Sequence, residues 1–170
     1  MDFQRLVQQR WSVRKFRTDV LPDEVVTQIL TAGQAAPTAH NLQPQRIFVI
    51  RSAEAKEKLA RCTRCHFDAP VVLMVCYDKN VSWKRKYDGA DSGAVDASIV
   101  TTHMMLAAEA QSVGTCWVMH FKPAAVRSEF ALPDELEPVA LLPMGYPAED
   151  AAPIPMHFER KPLNEVVTEL

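Results

Sequence analysis

At 170 residues the chain is long enough for one domain, 1–170, with a substantial core, and its 48% apolar content is ordinary for a globular protein. A formal net charge of −2 excludes a general nucleic-acid binder, which would be basic. No apolar run is long enough to span a bilayer, and Met1-Asp2-Phe3-Gln4-Arg5 lacks a signal peptide's apolar core, so a cytoplasmic protein with no membrane partner is expected.

In chain order, residues 2 to 9 place Phe3, Leu6 and Val7 on one face of a short helix, and Arg10 to Phe16 reads as a loop leaving it. Leu21-Pro22-Asp23-Glu24 opens a second helix, with acids at the positive end of its dipole; Val25, Val26, Ile29 and Leu30 recur at helical spacing, and Gly33 marks its approaching end. A loop over 36–45 follows, holding Pro37, Pro44 and several side-chain amides. Arg46 to Arg51 encloses a buried strand, and Ser52 caps a polar helix over 53–61. Pro70 to Tyr77 is a second buried strand, and 78–90 reads as a mobile polar surface segment around Trp83.

Residues 91 to 112 form the longest predicted helix. It is apolar around most of its circumference, which hints at a subunit interface. A third strand is expected over Thr115 to Phe121, a short helix from Pro123 to Phe130, and a fourth strand over Val139 to Met144. The Pro- and Ala-rich tail 148–162 has little capacity to fold alone and is expected to pack on something, such as a partner subunit. Alternating strands and helices give an α/β or α+β class.

The chemistry-bearing residues are unevenly placed. Arg10, Ser12 and Arg14 put two planar guanidinium forks and a hydroxyl within five residues, a set suited to phosphate or carbonyl oxygens. Arg160-Lys161 adds a second basic pair. Both glycine-rich nucleotide-phosphate loops, G-x-G-x-x-G and G-x-x-x-x-G-K-[ST], are absent. Cys62-Thr63-Arg64-Cys65 has metal or redox spacing, but no second C-x-x-C supplies the remaining zinc ligands, and the pair closes a helix instead of opening one; coincidence is the favoured reading. Cys76 and Cys116 read as buried thiols. The five histidines form no metal motif, and His103 reads as a core residue.

Four motifs in order resemble the FMN-dependent nitroreductase family: Arg10-Trp11-Ser12-Val13-Arg14-Lys15-Phe16 its R-x-S-x-R-x-F signature, Ala36 to Pro44 its A-P-S-x-x-N-x-Q-P loop, Gly114-Thr115-Cys116-Trp117 its strand start, and Gly145-Tyr146-Pro147 with Arg160-Lys161-Pro162-Leu163 its C-terminal pattern. The resemblance implies an α+β fold with a central mixed or antiparallel sheet flanked by helices, and a homodimer with an FMN at each of two shared sites. The long helix would lie in the dimer core, and the C-terminal extension would pack on the partner subunit.

The resemblance further places Arg10, Trp11, Ser12 and Arg14 on the flavin, Arg10 nearest its phosphate and Arg14 nearest the ring or ribityl chain. Arg160 and Lys161 would add to the phosphate site. Pro37, Thr38, Asn41 and Gln43 would approach from the second subunit, with the backbone around Trp117 and Val118 lying against the ring. No catalytic acid–base residue is expected, because the cofactor carries the hydride chemistry. The expected activity is hydride transfer from NAD(P)H, then electron transfer to a nitroaromatic, quinone or similar acceptor in a ping-pong cycle. Two alternatives remain: a flavin-binding sensor or store without efficient turnover, and a redox or zinc protein using Cys62 and Cys65. The sequence departs from the family at Met119, where many short members have Gly, and at Gln45, where an aromatic is common. No basic cluster can be assigned to a 2′-phosphate, so the choice between NADH and NADPH is open.

Overall fold

The computed structural model describes residues 2–170. Its elements run α1 (Phe3–Gln9), α2 (Asp23–Gln34), β1 (Gln45–Ile50), α3 (Ala53–Cys62), β2 (Val71–Asp78), α4 (Gly93–Glu109), β3 (Gly114–Thr115), α5 (Pro123–Glu129), β4 (Leu136–Gly145) and α6 (Leu163–Val166), with 3-10 turns at Ala39–Asn41 and Pro155–Phe158. The four strands form one sheet in the order β1-β2-β4-β3, and every neighbouring pair is antiparallel.

Strand side chains alternate between the two sheet faces, and β2 uses both for the core. Val71, Leu73, Val75 and Tyr77 pack with α2 and α4 through Val26, Ile29, Val100 and Met104. Val72, Met74 and Cys76 pack on the other face with Leu59 of α3 and Val126 of α5. A strand buried on both sides has no polar alternation to show, which is why its sequence reads as a continuous apolar run. Burial pushes the Cys76 thiol up to about 12, so it packs as a neutral hydrophobe.

Two expectations need revision. The third strand, expected over 115–121, is a regular ladder only at Gly114–Thr115, with an isolated bridge from Val118 to Leu141. Pro143 of β4 is the physical reason. The Cys116 amide donates to its carbonyl at 3.2 Å, but Pro143 has no N–H to return, so the ladder breaks there. The 78–90 segment, read as mobile, is instead a turn closed by ion pairs from Lys84 to Asp91 at 2.6 Å and from Arg85 to Asp88, with the Arg85 amide donating to the Ala90 carbonyl at 2.9 Å.

Helix α4 crosses the sheet with Ala97, Val100, Thr101, Met104 and Ala108 buried against it. Its opposite face carries Val95, Ile99, Thr102, His103 and Leu106, a stripe at helical spacing that forms an open apolar groove with Phe3 and Leu6 of α1. Val95 is 60% exposed there, and His103 borders this groove instead of sitting in the core. Among the described residues no helix is long and apolar enough to cross a membrane.

Candidate functional site

The Arg10–Arg14 stretch lies in extended backbone along the outer side of β3. Ser12 bridges Thr115 in parallel, and the Val13 amide donates to the Thr115 carbonyl at 2.9 Å. Val13 is fully buried and acts as the anchor. Gly114 makes its close approach possible, because a Cβ at that position would stand 2.5 Å from Val13 Cγ2. With Val13 pointing inward, the period-two rule turns Ser12 and Arg14 the other way. They line a cavity of about 170 Å³ with Trp11 and with Pro153, Ile154 and His157 of the C-terminal segment.

Four basic or polar side chains converge here. Burial pushes the Cys116 thiol up, and the charges of Arg14 and Arg10 and the Ser12 hydroxyl pull it the other way. Burial raises the pKa of Glu109, at the end of α4, and lowers that of His157, and the charge of Arg10 pulls both down; Arg160 sits beside His157, donating to the carbonyls of His157 and Glu159. Among the described residues Arg10, Arg14 and Arg160 take part in no ion pair. Arg14 spends one donor on the Ser12 carbonyl at 3.2 Å and keeps the others. Lys161 is exposed, and no hydrogen bond or ion pair ties its side chain to this group.

The backbone beyond β3 adds donors that the sequence does not advertise. Cys116 and Val118 turn their amides toward β4, donating to Pro143 and Leu141. Trp117, between them, and Met119, one step on, face the other way by the same alternation. Among the described residues neither amide donates a hydrogen bond. Two unpaired N–H groups at period two, beside a cluster of unpaired arginines, form an edge ready to receive a planar acceptor with an anionic tail.

Pro37, Thr38, Asn41 and Gln43 are placed elsewhere. Their loop is fastened to the start of α4: the Ala39 amide donates to Asp96 Oδ1 at 2.9 Å, and the Ser92 hydroxyl donates to Asp96 Oδ2 at 2.7 Å. The Thr38 hydroxyl accepts from the Gln43 amide at 3.0 Å, and the His40 ring stacks on Trp83 with centroids 5.5 Å apart. His40, Asn41 and Gln43 all have φ near +50°, a region costly for residues with a Cβ. Asp96 is the anchor that sequence reasoning missed, although an acid within an apolar helix was a visible signal.

Asp96 to Glu109 is thirteen steps of α4, about 20 Å at 1.5 Å per residue. Within one chain, then, the arginine edge and the amide loop stand at opposite ends of one helix. The expected site residues therefore fall into two groups: Arg10, Trp11, Ser12, Arg14, Trp117, Val118 and Arg160 at one end, Pro37, Thr38, Asn41 and Gln43 at the other.

The C-x-x-C pair does not form a site of its own. Cys62 is buried at the end of α3 and donates its thiol to the Lys58 carbonyl, and burial pushes its pKa up. Among the described residues no group of three or more His, Cys, Asp or Glu side chains is arranged to hold a metal ion.

An antiparallel sheet between two helical layers, with an unpaired cationic edge beside free strand amides, makes this an α+β protein. The Nitroreductase family model matches residues 7–68 and 66–146, and the chain belongs to that family. It is similar to an NADH dehydrogenase of Thermus thermophilus, 30% identical over an alignment covering 98% of this chain and 95% of that one. Among solved structures, a nitroreductase family protein from Clostridium difficile 630 superposes with a TM-score of 0.93 at 38% identity, covering 99% of this chain and 98% of its own. A nitroreductase in complex with FMN from Desulfovibrio desulfuricans superposes with a TM-score of 0.83 at 30% identity, covering 98% and 95%. The shared architecture agrees with the α+β sheet-and-helix fold expected from the motifs.

Proposed function

We propose that the chain is an FMN-dependent NAD(P)H oxidoreductase, a single cytoplasmic domain that works as a homodimer with a flavin at each of two shared sites. The observation that carries this reading is the cluster of Arg10, Arg14 and Arg160 without carboxylate partners, next to the free amides of Trp117 and Met119. The donor set fits the cofactor. Guanidinium forks suit a phosphate dianion, and strand amides suit the acceptor atoms of a flavin ring. Arg10 and Arg160 hold the phosphate, with Lys161 adding charge; Ser12 and Arg14 orient the ribityl chain or ring, Trp11 walls it, and the backbone around Trp117 and Val118 lies against it. Arginine near the ring also stabilises negative charge there and tunes its potential. FMN supplies hydride acceptance from NAD(P)H and electron delivery to a nitroaromatic, quinone or similar acceptor, in a ping-pong cycle.

Size and position support the dimer. A cavity of about 170 Å³ is smaller than the ~300 Å³ at which cofactor pockets begin. If two copies pack antiparallel through the α4 groove, the start of one α4 meets the end of the other. Pro37, Thr38, Asn41 and Gln43 of the second copy then complete the arginine edge of the first. Ile99→Glu should yield a monomer by sedimentation and lose flavin together with the dimer; a monomer that keeps its flavin overturns the shared site. The activity itself is tested by the visible spectrum under anaerobic conditions. A flavin spectrum that bleaches with NADH or NADPH supports the enzyme, and a colourless protein that takes up no added FMN overturns it.

A further inference from the structure

Between the end of α3 and the segment joining β3 to α5 lies a cavity of about 310 Å³ that the proposed flavin site does not use. Arg61, Arg64, His120 and Lys122 line it with Thr63 and Phe121, and no carboxylate does. Its two walls are tied together. The Lys122 amide donates to the Cys62 carbonyl at 3.0 Å, and the Thr63 hydroxyl donates to the His120 carbonyl at 2.5 Å. Arg61 is already engaged, with bonds of 2.8 and 2.6 Å to Glu129. The side chains of Arg64 and Lys122 make no ion pair or hydrogen bond among the described residues.

A chain with a net charge of −2 has thus gathered two unpaired cations and a histidine in one carboxylate-free cleft. Such a cleft concentrates field and attracts an anion. It also lies beside the chain that leaves the proposed flavin edge. Met119 is 69% exposed and stands three positions before Lys122, so the two lie no more than about 10 Å apart along the chain. The chain turns at His120, where the Phe121 amide donates to the Met119 carbonyl at 3.0 Å, and His120 and Lys122 then line the cleft together with Arg64. An elongated reductant with its redox ring at one end and phosphates at the other matches that layout.

We propose that this cleft binds a phosphate group of the reduced nicotinamide dinucleotide, with Arg64 and Lys122 as its direct ligands. The proposal rests on the reading of the chain as an NAD(P)H oxidoreductase. Phosphate in that ligand has two sources: the 2′-phosphate carried by NADPH alone, and the diphosphate shared with NADH. Phe121 offers an apolar wall for the adenine in either case.

The test is calorimetric titration of the flavin-loaded protein with adenosine 2′,5′-bisphosphate and with ADP, which need no hydride transfer. Wild type is compared with Arg64→Ala, Lys122→Ala and the charge-keeping Arg64→Lys, each checked for an unchanged melting temperature. Each alanine variant should weaken probe binding about tenfold, since each removes one charge-assisted contact, while Arg64→Lys loses less. Loss confined to the bisphosphate identifies the 2′-phosphate as the ligand; equal loss for both probes identifies the diphosphate. Affinities unchanged in both alanine variants, or no binding of either probe to wild type, overturn the proposal. The same samples report flavin content and bleaching. Bleaching with unaltered probe affinity removes the cleft and leaves the enzyme, whereas absent flavin removes the enzyme reading whatever the probes do.

Discussion

At the start of α4, the 36–44 loop has its polar groups met from within; at the end of α4, the Arg10–Arg14 segment leaves its cations open. The loop is held by a buried carboxylate, Asp96, and by the Thr38 hydroxyl. The three left-handed residues His40, Asn41 and Gln43 persist because those bonds and the stack on Trp83 over-determine them. The arginine segment is fixed as firmly, through Val13, but its side chains are not neutralised. One end is a shaped frame and the other an unsatisfied cradle. A fold tolerates the second because arginine at the surface stays hydrated until a ligand replaces the water.

Substitutions at the two ends should therefore fail differently. Arg14→Ala should have the largest effect on cofactor retention, weakening FMN binding about ten- to hundredfold for the loss of charged hydrogen bonds worth about 1.5–3 kcal/mol, with little change in the urea midpoint. Equal flavin occupancy after ultrafiltration would break the contrast. Asp96→Ala should act in the opposite sense, on stability first: it strands the Ala39 amide and the Ser92 hydroxyl and should cost about 1–3 kcal/mol in urea unfolding. Asp96→Asn, which keeps an acceptor oxygen, should recover part of that.

The smallest effect is expected at Glu109, which feels the charge of Arg10. Burial raises its carboxyl pKa against the pull of Arg10. A carboxyl whose folded pKa is raised penalises its charged form, so the native state is favoured below the carboxylate range and loses that advantage as pH rises through it. Glu109→Gln should thus be more stable than wild type at neutral pH and lose that margin at acid pH. A margin that grows toward acid pH would reverse the sign assigned here.

What was legible in the sequence depended on how local the signal was. Arg10, Ser12 and Arg14 alternate because the segment is extended, so their spacing alone carries the common orientation. The exposed stripe on α4 was foreshadowed by a helix apolar nearly all round. Pro143 was visible, but its consequence falls on Cys116, twenty-seven positions earlier, and only the pairing register connects them. The turn at 78–90 looked loose because its ion pairs are invisible until the chain folds back. The cationic cleft was illegible for the same reason: Arg61 and Arg64 stand far in sequence from His120 and Lys122. The division of the site between two subunits came from the family resemblance and not from any periodicity, and the two ends of α4 appear only once the chain is folded.

The length of α4 has one more consequence. On the proposed assembly, neither end of the helix makes a complete cofactor site, so loading and association are linked equilibria. Flavin then acts as a cross-linking ligand between protomers, and its retention obeys protein concentration as well as flavin concentration. Dilution should bleach the protein without any change in its contacts, and a cell making little of this chain would hold it mostly as colourless halves.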